Sequence, residues 1–408
     1  MNQGIHITSE IDPLKTVLLH RPGKELLNLT PDTLQELLFD DIPFLKVARE
    51  EHDAFSKLLS DNGVEVVYLE DLMTDVLKES KEIKRKFINQ YISEGCSDRR
   101  YHNAIYEYLH SYRDEKELVL KTMEGINSNE IETDIDESLA DLVDDTNHML
   151  INPMPNLYFT RDPFAMVGNG VCLNRMFYET RRRETIYGEY IFNYHPNFKD
   201  DVRKLYDRYD PYHIEGGDIL NISEETIVIG VSQRTEANAI EFLAKHIFKD
   251  SSSKVKNILA LSIPKNRSFM HLDTVLTQVD KDKFTVHPGI LNDLSIFRIS
   301  RGDKKLFEIS KVDKTLEEAL AEALGIEKVV LIKCGGSDSI AAQREQWNDG
   351  SNTLCIAPGT VITYERNYVT NDLLDRNNID VLTVPSSELS RGRGGPRCMS
   401  CPVARDDI

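Results

Sequence analysis

From residue 149 onward one order of elements keeps returning. A short acidic opening is followed by two strands joined at a tight turn. In some units a helix and a third strand come next. The openings are Phe159-Thr160-Arg161-Asp162, Glu215-Gly216-Gly217-Asp218, Met270-His271-Leu272-Asp273 and Gly335-Gly336-Ser337-Asp338. The second unit is the clearest, with strand character over 226–231, Thr235 as helix N-cap, a helix over 237–247 and a strand over 258–261. The last repeats the order, with strands at 353–357 and 361–364 around Pro358-Gly359, a helix near 371–375 and a strand at 379–384. A helix over 315–324 opens on the capping box Thr315 to Glu318 and ends at Gly325. The first 70 residues fit the same ββαβ order. Strands at 5–7 and 16–19 flank Asp12-Pro13, and a helix follows Thr30-Pro31. A second helix over 44–61 stops at Asn62-Gly63, and a strand covers 64–69. A period longer than ~50 residues predicts modules around an axis, with five openings gathered at one end. A three-layer α/β sandwich is the alternative arrangement.

Residues 72–126 break the rhythm. Ile83, Phe87 and Tyr91 recur at helical spacing, and Ile105, Tyr108 and Leu109 continue it. Gly95 separates two helices, Gly125 ends the set, and 128–147 is an acidic linker. The expected domains are therefore an α/β body of 1–71 and 149–408, with 72–148 as a helical insertion and linker. Trp347 is assigned to the core.

Composition excludes several functions. The 408 residues carry a formal charge of −19, which opposes nucleic-acid binding and suits attraction of a small cation. No apolar run approaches the ~20 residues of a membrane span. Met1-Asn2-Gln3-Gly4 has no export signature, and six scattered cysteines fit a reduced, cytoplasmic protein.

The stretch Arg391-Gly392-Arg393-Gly394-Gly395-Pro396-Arg397-Cys398-Met399-Ser400-Cys401 sets a thiol in a glycine-rich turn among three arginines. Such a thiol is a candidate nucleophile, because the thiolate is the reactive form. A flexible basic tail with an incidental cysteine is the plainer reading. Cys398 and Cys401 also form a C-x-x-C, but not at the start of a thioredoxin-like βαβ pattern. Cys401 is read as a packed small hydrophobe. Zinc held by Cys398, Cys401 and His271 would lack an evident fourth ligand.

Taken together, Asn156-Leu157-Tyr158-Phe159-Thr160-Arg161-Asp162-Pro163, Arg181-Arg182-Arg183-Glu184-Thr185, Glu215-Gly216-Gly217-Asp218, Met270-His271-Leu272-Asp273-Thr274 and the 391–401 loop resemble the arginine deiminase family. The resemblance runs from about residue 4 to the end. It implies an α/β fold, a five-bladed α/β propeller of ββαβ modules in pseudo-fivefold arrangement with an inserted all-α domain. It implies hydrolysis of L-arginine to L-citrulline and ammonia, the first step of arginine catabolism, with no metal or organic cofactor and a dimeric or tetrameric assembly. The planar cationic guanidinium suits Asp162 and Asp273 as carboxylate clamps, Cys398 as nucleophile and His271 as acid then base. Glu215 would orient His271 and keep it charged, and Asp218 would brace the glycine turn. By the resemblance Arg181, Arg234 and Arg393 hold the substrate carboxylate, Asn156 adds a polar contact and Phe159 walls the apolar stem. Arg182 and Arg183 are assigned to a solvated face. Agmatine deiminase and the amidinotransferases share the Cys/His/Asp logic, but an arginine-lined distal pocket favours arginine over agmatine. A thiol redox protein and a non-enzymatic binding protein are alternatives of other classes. Asp162 and Asp273 should raise the thiol pKa, with Arg393 and Arg397 opposing them.

Overall fold

The strands of the computed structural model fall into five three-stranded units with one pairing pattern. The model describes residues 4–132, 139, 149–200, 202–291, 294–302 and 304–408. Met1, Asn2 and Gln3, and most of the acidic stretch 128–147, lie outside them. In each unit the first two strands are antiparallel and the second runs parallel to the third. The units combine Phe164–Val167, Gly170–Leu173 and Arg203–Tyr206; Ile219–Ser223, Thr226–Val231 and Asn257–Ser262; Leu276–Asp280, Lys283–Val286 and Val330–Lys333; and Leu354–Ala357, Thr360–Tyr364 and Asp380–Val384. The fifth joins the chain ends, with Cys401–Arg405 antiparallel to Leu14–Leu19 and Glu65–Tyr68 parallel to it. A parallel step needs a crossover. Helices Leu45–Asp61, Ile186–Tyr194, Ala237–Lys249, Leu316–Leu324 and Tyr368–Arg376 lie on these crossovers.

Local signals set most of these elements. Gly63 ends the first crossover helix at φ 79°, where a side chain would be strained. Thr315 and Glu318 form the expected capping box, and Gly325 takes the left-handed cap. Four helices, Leu69–Glu79, Lys81–Gly95, His102–His110 and Glu115–Glu124, occupy the stretch between Glu65–Tyr68 and Phe164–Val167. Their apolar faces share one core cluster with Phe164, Leu173, Tyr187 and Tyr190. Among the described residues no helix is long and apolar enough to cross a membrane.

Several expectations are corrected. The first strand of the terminal unit is Cys401–Arg405, whereas His6 and Ile7 make only single bridges, to Ala404 and Gly168. Val403 and Ala404 are fully covered there, a burial the local 5–7 segment does not offer. No α-helix follows Thr30-Pro31. That segment is a series of turns, in which Leu38 adopts φ 64° and the carbonyl of Leu37 accepts from the Asn156 amide at 2.8 Å. Thr235 does not cap its helix, which begins at Ala237 after Glu236; its hydroxyl instead accepts from the Glu215 N–H at 3.1 Å. A hairpin of Ser295–Arg301 and Phe307–Val312, unforeseen in the sequence, pairs with Asn257–Ser262 and widens the second unit's sheet to five strands. Arg183 is buried, donating to the carbonyl of Asn152 at 2.7 Å, and Arg182 donates to the carbonyl of Met176 at 3.3 Å, so neither forms a solvated basic face. Trp347 ends the helix Ser339–Trp347 and is 44% exposed, not a core residue.

Candidate active site

Each unit carries its chemistry in the segment just ahead of its first strand. Asp162 precedes Phe164–Val167, and Glu215 and Asp218 precede Ile219–Ser223. His271 and Asp273 precede Leu276–Asp280, and Cys398 precedes Cys401–Arg405. Backbone bonds tie these segments together. Gly216 N–H donates to the carbonyl of Asp162 at 3.0 Å, and Arg161 N–H donates to that of Cys398 at 3.1 Å. A Cβ on Gly216 would lie 2.0 Å from the carbonyl oxygen of Arg161, and one on Gly217 would lie 2.7 Å from the imidazole of His271. The paired glycines are therefore required by close approach.

His271 lies buried between two acids. Its Nε2–H donates to Glu215 at 2.7 Å, and Nδ1 is 3.7 Å from Asp162 Oδ1. Burial alone would favour the neutral ring, but Asp162 and the bond to Glu215 outweigh it and hold the pKa at about 9. Glu215 is itself buried. Burial would raise its pKa, but Arg234 and His271 hold the carboxyl down at about 2. Asp218 accepts from the backbone N–H of Leu272 at 2.8 Å and from Ser232 at 2.6 Å, which fixes the turn carrying His271. Its burial pushes its own pKa up to about 6.

Asp162 and Asp273 are arranged alike. Asp162 Oδ2 accepts from Arg181 at 2.8 Å, and Asp273 Oδ2 accepts from Arg397 at 2.8 Å. In both, Oδ1 is buried without a hydrogen-bond partner. Cys398 Sγ stands 3.6 Å from Asp273 Oδ2. Burial pushes this thiol well above its usual range, and Asp273, Asp162 and Asp349 push it further, against Arg397.

The pocket is walled by Asn156, Phe159, Asp162, Arg181, Arg234, His271, Arg393 and Cys398, with Glu215 and Asp273 behind that wall. Its free volume, about 20 Å³, holds about one water. Arg181 is fully engaged by Asp162 and Glu184. Arg234 donates to Glu215 at 3.4 Å and stacks on Tyr178. Arg393, at φ 63°, lays its guanidinium 3.4 Å from the Trp347 ring centre; Nε and Nη1 make no hydrogen bond, and Nη1 lies 3.9 Å from Asp40 Oδ2.

Sequence reasoning missed several of these groups. Gly335-Gly336-Ser337-Asp338 does not reach the pocket, because Asp338 caps a helix by accepting from Ile340 and Ala341 N–H. The contribution of the unit that starts at Leu354–Ala357 is Asp349-Gly350-Ser351-Asn352. Asn352 accepts from the Cys398 N–H at 3.0 Å and donates to Sγ at 3.1 Å. Asp349, buried with Oδ2 unpartnered, has its pKa raised to about 7 by burial. Position just before a strand was the usable signal, but here the acid comes first and Asn352 stands where the other openings end in aspartate. Leu38, Arg267 and Met270 also line the pocket.

Asp162, Glu215 and His271 offer donor atoms within 4.8 Å of one another, a spacing a metal ion can use. Both carboxylates are already paired with guanidinium groups of Arg181 and Arg234, so a cation there would meet neutralised ligands. The Cys401 thiol donates toward the carbonyl of Phe164 at 3.7 Å and packs in a different core cluster from Cys398. This opposes both the zinc trio and a working C-x-x-C pair.

Comparison with known proteins gives a consistent relationship. A family model described as arginine deiminase matches residues 35–405. An arginine deiminase of Treponema denticola is 60% identical over 406 residues, 99% of each chain. One of Clostridium perfringens is 51% identical over 411 residues, covering 100% of this chain and 99% of that one. Among solved structures, an inosamine-phosphate amidinotransferase from Streptomyces griseus aligns with a TM-score of 0.53 at 12% identity, over 99% of this chain and 97% of that one. An amidinotransferase of saxitoxin biosynthesis from Microseira wollei aligns at 0.55 and 14%, over 99% and 98%. These neighbours share the mixed α/β fold of the guanidine-modifying enzymes, and the sequence matches define membership within it: the chain belongs to the arginine deiminase family.

Proposed function

We propose that this protein hydrolyses L-arginine to L-citrulline and ammonia through a covalent adduct on Cys398. The observation that carries the reading is the pair of clamps. Asp162 and Asp273, both acting on the Cys398 thiol, each keep one oxygen on a resident guanidinium and leave the other buried without a hydrogen bond. A substrate guanidinium has N–H groups for both free oxygens. Its positive charge, set beside Cys398, favours the thiolate that the buried acids disfavour.

Sulfur then bonds to the guanidinium carbon. His271, protonated at neutral pH, gives its proton to the departing nitrogen, the C–N bond breaks, and ammonia leaves. The same imidazole next takes a proton from water, which attacks the thiouronium carbon and releases citrulline with the C–S bond broken. Glu215 steadies the ring in both steps. Arg181, Arg234 and Arg393 meet the distal carboxylate, Asn156 adds a polar contact, and Phe159 packs on the stem. Arg393 has donors free of hydrogen bonds and only a 3.9 Å ion pair to Asp40, while Arg181 must share its charge with Asp162 and Glu184. Since the pocket holds about one water, the 391–398 loop and Arg393 move to admit substrate.

The same reading sets five modules about a pseudo-fivefold axis as a propeller, with 72–148 as an inserted helical domain and linker. It places a homodimer or homotetramer in the cytoplasm, acting without metal or organic cofactor.

Citrulline and ammonia should form in equal amounts from arginine, with agmatine turned over far more slowly. Acid quench during turnover should trap an adduct on the peptide bearing Cys398. Turnover by Cys398→Ser at the wild-type rate would end this proposal.

A further inference from the structure

Behind the nucleophile, on the side away from the pocket wall, lies a chain of buried charges. Glu10, in the segment before Leu14–Leu19, the middle strand of the terminal unit, is buried against Arg397. Arg397 donates from Nε to Glu10 Oε2 at 3.1 Å and from Nη2 to Oε1 at 3.1 Å, a two-pronged fork. Its remaining nitrogen, Nη1, donates to Asp273 Oδ2 at 2.8 Å, and Nη2 also donates to the carbonyl of Ile219 at 2.8 Å. Asp273 Oδ2 is the oxygen 3.6 Å from Cys398 Sγ. A third group, the backbone N–H of Asn221, donates to Glu10 Oε1 at 3.1 Å. The carboxylate is thus gripped by two elements and transmits its position through one guanidinium.

We propose that Glu10 is a positioning residue for the reaction. By holding Arg397 in a fixed plane it turns Asp273 so that Oδ2 is occupied and Oδ1 faces the substrate, and it offsets the positive charge that Arg397 would otherwise set against the sulfur. A guanidinium without its fork is free to swing on a long side chain, and Asp273 would follow it. Glu10 does not line the pocket and touches no reacting atom, so it acts only through Arg397 and Asp273. The surrounding charges fit this role. Arg161 and Arg405 also face Glu10, and with Arg397 they hold its carboxyl down at about 2 despite burial. Cys398 is faced by Asp273, Asp162, Asp349 and Arg397, and lies near Tyr158 and Tyr364. The inference rests on Cys398 as nucleophile.

The test is the substitution Glu10→Gln in the full-length enzyme. Inactivation by iodoacetamide is followed from about pH 6 to 10, with the labelled peptide identified by mass spectrometry and KM for arginine measured beside it. Loss of the negative charge should move the inflection of alkylation to lower pH by about one unit, which is ~tenfold more thiolate below the inflection. KM should rise at the same time, because Asp273 is no longer aimed. More thiolate with weaker binding is a pairing that general loosening of the fold does not produce. A cooperatively melting E10Q enzyme with unchanged inflection and unchanged KM overturns the proposal. Should E10Q fail to melt cooperatively, Glu10→Asp decides on the same readouts. That variant keeps the charge and breaks the fork, so a raised KM with a wild-type inflection is expected, and a wild-type KM overturns the role. Label found away from Cys398 in the wild type overturns the nucleophile reading, and the Glu10 role with it.

Discussion

Asn352 makes the most direct contact with the sulfur among the residues the sequence did not flag. Its amide donates to Sγ, and its carbonyl oxygen holds the Cys398 N–H. A donor aimed at a developing thiolate lowers its energy, and loss of one such donor typically costs ~10²-fold in turnover. Asn352→Ala should therefore lower kcat by about that factor and move Cys398 alkylation to higher pH. Steady-state kinetics and the alkylation profile check both. Trp347→Ala should free Arg393 from its stack and change KM more than kcat, since that ring supports the arginine at the pocket wall and not the reacting atoms. Cys398, His271, Asp162 and Asp273 were legible because each sits in a motif whose residue types are unusual together. Asn352 and Asp349 were not, because an asparagine and an aspartate near a glycine read as an ordinary turn until a partner segment packs against them.

At the scale of elements, the segments before the first strands act as rigid brackets. Gly217→Ala would place a methyl against His271. Overpacking of this kind costs ~1–3 kcal/mol, and here the strain falls on the imidazole, so activity should fall more steeply than melting temperature. Thr315→Ala is the contrasting case. It removes a capping box far from the pocket and should cost ~1 kcal/mol in stability, with kcat unchanged. Denaturant melts and initial rates on both variants separate the effects. The capping box and the glycine stops were readable because capping is satisfied within a few residues. The strand Cys401–Arg405 was not assigned to the N-terminal unit because its partner, Leu14–Leu19, is nearly the whole chain away.

For the whole molecule, buried ionisable groups set the pH range of stability. Glu10 and Glu215, held down at about 2 from an ordinary 4.5, stabilise the fold above 4.5 and lose that contribution as pH falls toward 2. His271, held up at about 9 from 6.5, stabilises below 6.5 and loses its contribution as pH rises toward 9. His20, clasped by Glu70 at 2.8 Å and Glu25 at 3.1 Å, is held up at about 10 despite burial and acts in the same sense. Asp349 and Asp218, raised from 3.8 to about 7 and about 6, favour the fold when protonated, and that contribution is lost as pH rises from 3.8 toward those values. Together these six groups point to a melting-temperature maximum on the acid side of neutrality, between about pH 4.5 and 6.5. A scan of Tm against pH checks it, and a maximum above pH 8 would contradict the charge assignments.

The sequence alone determined the order of strands and crossover helices in most units, the helical stretch before residue 126 and the residue types of a guanidine-handling site. Those follow from periodicity, capping and motif chemistry, which act within a few residues of chain. Only the tertiary structure decided which ends close the terminal unit, which segment the unit starting at Leu354 brings to the thiol, and why Trp347 supports an arginine instead of filling a core. It also set Glu10 behind Arg397. Each of these depends on groups remote in sequence meeting where water is excluded, and a buried charge or an unpaired strand edge has no preferred partner until the packing supplies one.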